Sequence, residues 1–237
     1  MMKPALVLVC KRPQPGMGKQ RLAASLGREA ANQVAHGLLA CALEDVRDWP
    51  GSIIIAPSHP EDSIWADGLL PHKQPKAYVL PQANGNLGER LNALDRQLRD
   101  LGMEQLVYIG SDAPALAPAD YVAVRQGLLD HDVVLKGAVD GGVVLMASRR
   151  PWPPLRALPW SSATLGIALL DCCQALGHSV LTLTSSFDVD RQDDFIPMIA
   201  ALKTDLRPAR RALHRLVSDL VDSVDTVSRK EERHVRF

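Results

Sequence analysis

"ALVLVCKRPQPGMGKQRL", Ala5 to Leu22, joins an apolar run of strand length to a basic Pro/Gly turn and then to a helical pattern. Pro13, Pro15 and Gly16 make the turn rigid, and Gly18 lets backbone approach a ligand closely. A helix starting near Lys19 would turn its free N–H groups toward the loop, with Lys19 and Arg21 adding full charges. Such a segment can cradle a phosphate, although it fits neither the P-loop nor the dinucleotide fingerprint. A solvated surface turn is the competing reading.

Outward from this stretch, apolar runs of strand length alternate with helical patterns. The expected strands are Ala5 to Cys10, Ser52 to Ala56, Ala77 to Leu80, Leu106 to Ile109, Val133 to Leu135, Val143 to Met146 and Val180 to Leu183. The expected helices are Lys19 to Arg47, Leu87 to Leu101, Pro118 to Asp130, Ser162 to Leu176 and Gln192 to Leu202. Alternation of this kind predicts βαβ units and a mostly parallel sheet, because parallel strands need crossover helices. In open sheets of that class, ligands sit beyond the carboxyl ends of the strands.

Bulk properties narrow the function. The chain has 237 residues, enough for a sizeable core, and its 27 basic and 27 acidic residues cancel. No global field then draws it to nucleic acid or an anionic membrane, so an anion site must be local. No apolar run approaches the roughly 20 residues of a membrane span. The start "MMKPALVLVCKRP" runs into Lys-Arg-Pro without a small-residue cleavage site and reads as a first strand, which gives a cytoplasmic expectation. Cys10, Cys41, Cys172 and Cys173 lack metal-ligand spacing and read as reduced core residues. After Leu202 the composition turns charged and helical, and Leu213, Val217, Leu220, Val224 and Val227 trace a heptad seam. That pattern suits either a helix packed on its own domain or a homodimer contact. The expected division is a body at residues 1–202 and a helical extension at 203–237.

Three more strand-end loops carry polar residues. In "YIGSDAPAL", Asp112 follows an apolar strand and can either cap a turn or hold a cation. In "AVDGGVVLM", Asp140, Gly141 and Gly142 allow a close backbone approach or simply make a hairpin. In "FDVDRQDDF", Asp193 and Asp194 suit a helix start, whereas Asp188 and Asp190 would share one face of an extended segment. Two like charges roughly 5 to 7 Å apart repel by about 2 to 3 kcal/mol at an effective dielectric of 20, which favours a divalent cation. Oxygen ligands of this type suit Mg²⁺ or Mn²⁺.

Taken in order, "KRPQPGMGKQRL", "QANGNLGERL", "IGSDAPAL", "DGG", "PWSSAT" and "FDVDRQDDF" resemble a bacterial GT-A-type transferase family, over about Lys3 to Leu202. That family is labelled a radical-SAM/selenodomain-associated transferase or an arsenosugar-biosynthesis glycosyltransferase. More distantly the chain is similar to guanylyltransferases of cofactor biosynthesis. The resemblance implies an α/β, Rossmann-like three-layer nucleotide-diphospho-sugar transferase (GT-A) fold with a mostly parallel central sheet. It assigns Lys11, Pro15, Gly16, Lys19 and Arg21 to the nucleotide and phosphate loop, and Asp112, Asp188 and Asp190 to the metal. Gly88, Glu89 and Arg90 match its Leu-Gly-Glu-Arg segment, where Glu89 is equally a first-turn carboxylate. Trp160 and Ser161 match its Trp-Ser pair on the acceptor side, where a Trp anchoring the Pro-rich loop is the alternative.

Four positions depart from the family pattern. Gln20 and Arg191 stand where Thr is usual, Lys136-Gly137 where Gly-Pro is usual, and Val143 where Tyr is usual. Lys136 then adds a cation toward the diphosphate or merely snorkels at a strand end. The implied function is metal-dependent transfer from a nucleotide-activated donor to a small acceptor, glycosyl transfer first, with Asp140 as the candidate general base. Nucleotidyl transfer from a nucleoside triphosphate with pyrophosphate release, and a non-catalytic nucleotide-binding module, remain the alternatives.

Overall fold

The computed structural model describes residues 3–71 and 76–234, excepting the side chains of 224–234. Seven strands and eight α-helices run along the described residues. In chain order they are β1 (Ala5–Cys10), α1 (Gln20–Leu26), α2 (Arg28–Arg47), β2 (Ile53–Pro57), α3 (Ser63–Asp67), β3 (Ala77–Val79), α4 (Leu87–Asp100) and β4 (Leu106–Ile109). There follow α5 (Pro118–Asp130), β5 (Val133–Ala138), β6 (Val143–Ser148), α6 (Leu165–Ala175), β7 (Val180–Ser186), α7 (Phe195–Leu202) and α8 (Pro208–His234).

Contacts divide the chain into two compact units. The first comprises Met1–Arg12 and Ala42–Asp188, the second Pro13–Cys41 and Val189–Phe237. The first holds the whole sheet, ordered β3-β2-β1-β4-β6-β5-β7. β1 pairs in parallel with β2 and β4, β2 with β3, and β5 with β7. β6 alone runs antiparallel, to β4 and β5. β1 and β2 are continuous apolar runs because they are covered on both faces. On one face, Val7, Ile54 and Tyr108 pack with Leu91, Leu94 and Leu98 of α4 and with Leu169 and Cys173 of α6. On β5 and β7, Val134 and Leu181 face α5 so closely that a Cβ at Gly127 would come within 2.9 Å of both. Helices therefore flank the sheet, as the alternating pattern predicts. Strand order reverses between β1 and β4, where such sheets open a crevice beyond their carboxyl ends.

In the second unit, α8 packs along α2 and α7. Leu213 and Val217 are buried, and a Cβ on Gly37 would lie 2.9 Å from Leu213 Cδ1. Fully buried Arg210 donates from Nη1 to the Cys41 carbonyl at 2.8 Å. The N-terminal part of the expected heptad seam is thus a packing face of its own unit, while Val224 and Val227 lie outside the described side chains.

Several boundaries move, for local reasons. The helix expected over Lys19 to Arg47 is broken at Gly27, whose φ of 83° ends α1 while its N–H bonds Ala23 O. Residues 162–164 form a turn ahead of α6, and Gln192–Asp194 is a short 3₁₀ turn ahead of α7. β5 extends to Ala138 across a bulge at Lys136/Gly137. The short α3 carries too few residues to show a helical period.

Candidate active site

At the end of β4, Asp112 folds back over Gly110: a Cβ there would stand 2.6 Å from Asp112 Oδ1. A side chain at position 110 would displace the carboxylate. Asp188, just beyond β7, offers a carboxylate oxygen within 4.8 Å of one from Asp112, and both residues are half-buried. The next acid along the chain, Asp190, follows buried Val189, consistent with an alternating extended segment.

In the second unit the Pro/Gly loop closes on itself. Met17 N–H bonds Gln14 O at 3.0 Å, and Gln20 Nε2 bonds Gly16 O at 2.7 Å. Gln20 is the departure from the family's Thr, and its longer side chain makes this closure. Gly16 and Gly18 have φ of 80° and 72°, and Lys19 adopts the same left-handed region with φ 42° and ψ 40°. Lys19 Nζ donates to Val189 O and to Asp190 Oδ1, each at 2.6 Å. Arg21 Nη1 lies 3.7 Å from Asp190 Oδ2. α1 has only seven residues, so the positive field here comes from these two side chains rather than from an aligned helix dipole. Pro15 and Lys11 are exposed.

Other residues singled out from the sequence have structural occupations. Asn86 Oδ1 accepts from Glu89 N at 3.0 Å and Asn86 N donates to Glu89 Oε2 at 2.9 Å, a capping box at the start of α4. Gly88 is required there, since a Cβ would meet Leu155 O at 2.2 Å. Trp160 Nε1 donates to that same carbonyl at 2.9 Å and anchors the Pro-rich loop. Ser161 beside it is exposed and holds φ 64°, a left-handed non-glycine residue. Asp140 Oδ1 accepts from Gly142 N at 2.9 Å, and Gly141 at φ 90° turns the β5–β6 hairpin with its Cα against Ala163 O. The hairpin reading of "DGG" therefore accounts for its residues, and it seats them against the "PWSSAT" segment.

Lys136 is held in a buried ion pair. Its Nζ is buried between Asp120 Oδ1, 2.9 Å away at the start of α5, and Thr184 O at 2.7 Å. Asp194 accepts from the backbone N–H groups of Asp190 and Arg191 at 2.8 and 2.6 Å, as a helix-start acid should.

Sequence reading missed two polar groups. Asp95, 2% exposed, takes Arg99 Nε at 2.9 Å and lies 3.4 Å from the Tyr108 hydroxyl, whose ionisation is pushed well up, mainly by burial and also by this carboxylate. The i,i+4 spacing of Asp95 and Arg99 was the available signal. Asp132 takes Ser179 N at 3.1 Å and Arg149 Nε at 3.1 Å, and Ser179's backbone bond chiefly holds it far below the usual carboxylate range. Its partners lie 17 to 47 residues away, so no local pattern announces them. Among the described residues none of the four cysteines forms a disulfide. Burial, with Asp62 adding, pushes the Cys10 thiol up to about 12.

The strand order, the single antiparallel strand β6 and the acid after β4 define an α/β fold of the nucleotide-diphospho-sugar transferase type. The chain belongs to the DUF2064 family, described as an uncharacterized protein conserved in bacteria, whose profile matches residues 39–162. Among solved structures it is similar to a Desulfovibrio desulfuricans G20 protein provisionally described as a nucleotide-diphospho-sugar transferase. That pair shares 21% identity at a TM-score of 0.82, covering 94% of this chain and 98% of that one. A Leptospira borgpetersenii cytidylyltransferase matches at TM-score 0.55 and 10% identity over 96% of each chain. The 4-diphosphocytidyl-2C-methyl-D-erythritol synthase of Anaerococcus prevotii matches at 0.52 and 10%, over 84% of this chain and 99% of that one. No curated protein matches the sequence. Among the described residues no helix is long and apolar enough to cross a membrane.

Proposed function

We propose that the chain is a transferase acting on a nucleotide-activated donor, most simply moving a glycosyl group from a nucleotide-diphospho-sugar to a small acceptor. The observation that carries this reading is the approach of two carboxylates, Asp112 and Asp188, to within 4.8 Å beside the β4 end of the sheet. Two anions that close repel by about 3 kcal/mol at an effective dielectric of 20, less where water screens them. A hard divalent cation relieves that repulsion, and an all-carboxylate donor set fits Mg²⁺ or Mn²⁺. Asp112 and Asp188 would hold the ion, with Asp190 two residues further along the chain as the third acid. Bound there, a divalent ion supplies Lewis-acid stabilisation of phosphate oxygens.

The chain's own residues supply the remainder. Lys19 and Arg21 bind the donor's phosphates and stabilise the negative charge that accumulates on the leaving group. Gly16 and Gly18 permit close backbone approach at that loop. Asp140 is the proposed general base for the acceptor hydroxyl, and Trp160 and Ser161 the proposed acceptor wall. Nucleotidyl transfer is the second reading. The fold likeness to cytidylyltransferases favours it, as do two cations at the start of α1, because a triphosphate needs more neutralisation than a diphosphate sugar.

A thermal-shift panel of nucleotide sugars and nucleoside triphosphates, each with and without Mn²⁺, tests both readings, since a ligand selective for the folded state raises Tm by mass action. Asp112→Ala should abolish the metal-dependent part of the shift and leave the protein folded. An unchanged metal response removes Asp112 from the role. Nucleoside diphosphate as product supports glycosyl transfer, and pyrophosphate supports nucleotidyl transfer. No shift with any nucleotide rejects both.

A further inference from the structure

Asp190 is engaged by cations on both carboxylate oxygens. Oδ1 takes Lys19 Nζ at 2.6 Å and Oδ2 faces Arg21 Nη1 at 3.7 Å. Lys19 reaches that position from a left-handed backbone, a conformation unfavourable for a non-glycine residue. The loop closure through Gln20 and Gly16, the second bond of Nζ to Val189 O, and the ion pair itself together hold it there. A carboxylate so occupied is a poor ligand for a divalent ion, because Lys19 offers a like charge at the same oxygen. A polyphosphate gives Lys19 another anion to face and frees Asp190.

From this geometry we propose that Lys19 is a cationic plug on Asp190, which couples metal affinity to nucleotide binding. Without nucleotide, Lys19 holds the Asp190 oxygen that a divalent ion would need. With the donor's phosphates present, Lys19 moves to them and Asp190 becomes available, so metal and nucleotide each raise the other's affinity by the same factor. This rests on the metal and phosphate assignments of the proposed function and deepens them, by adding a reason why the free protein would not be loaded with metal.

The test measures Mn²⁺ alone, with no nucleotide, on the full chain by electron paramagnetic resonance of free Mn²⁺. Lys19→Asn and Lys19→Gly remove the charge and suit the left-handed backbone, and unchanged far-ultraviolet circular dichroism confirms that each is folded. Both should bind Mn²⁺ about fivefold or more tighter than the parent, the scale expected for relieving a partly screened ion pair. Lys19→Arg, which keeps the charge, should stay within about twofold of the parent. The gain should vanish in Lys19→Asn combined with Asp190→Asn, and Asp112→Asn should weaken binding in every background. Equal Mn²⁺ affinity in parent and Lys19→Asn, with Asp112→Asn still weakening both, overturns the plug and leaves the metal assignment standing. A gain that persists without Asp190 also overturns it, as a general charge effect. Absence of any Asp112-sensitive Mn²⁺ binding in all variants overturns the metal assignment and the plug with it.

Discussion

Two lysine–aspartate pairs stand near strand ends in this protein, and they are built for different ends. In Lys136–Asp120 the atoms are 2.9 Å apart and the side chains only 7% and 21% exposed, with Thr184 O taking a second lysine bond. In Lys19–Asp190 the atoms are 2.6 Å apart, but the side chains are 15% and 43% exposed, and the acid retains a water-facing side shared with Arg21. Separation is a poor guide to their roles. Burial of the acid decides whether a pair can exchange its partner. A buried pair that loses one member leaves an uncompensated charge, whereas a half-exposed acid is rescued by water.

The largest effect expected from this contrast is on stability. Lys136→Met should cost about 2 to 3 kcal/mol in urea unfolding and lower Tm by about 5 °C or more, leaving nucleotide-induced shifts intact. Asp120 keeps its Ala117 N–H bond at 2.9 Å, which limits the loss. A Lys136 variant that kept its stability but lost nucleotide binding would erase the distinction. Lys19→Asn should do the reverse, changing stability by less than about 1 kcal/mol while weakening a nucleoside triphosphate about tenfold in calorimetry. Asp132→Asn sharpens the comparison on the structural side. Its carboxyl sits below its unfolded value, so the stability it contributes is full above the ordinary carboxylate pKa and lost as pH falls below it. The parent should lose stability on acidification below about pH 4, and the variant should show a shallower acid limb in pH-dependent thermal melts. Smallest is Glu89→Gln, which keeps a capping acceptor and should cost under about 1 kcal/mol with no change in nucleotide shifts. A large loss of nucleotide binding there would move Glu89 from helix cap to substrate contact.

Strands β1, β2 and β4 are legible because burial on both faces writes continuous apolar runs. β1 and β4 have the bounds expected from sequence, and the hairpin, capping box and helix-start roles of Gly141, Glu89 and Asp194 follow from local chemistry. The partners of charged residues were not legible in the same way. Lys136 meets Asp120 and Thr184 across 16 and 48 residues, and Lys19 meets Asp190 across 171, so only the folded chain reveals which lysine is sequestered. The break at Gly27 was hidden because helical patterns continue on both sides of it.

The second unit's make-up has a consequence for biosynthesis. Gly37 and Cys41 wait for Leu213 and Arg210, and Lys19 waits for Asp190, so the basic loop completes its contacts only after a further 171 residues have been made. Closing so long a loop is slow, and the sheet strands have many nearer partners. A chain cut after Leu202 would therefore keep Asp190 for Lys19 but leave Gly37 and Cys41 of α2 without Leu213 and Arg210.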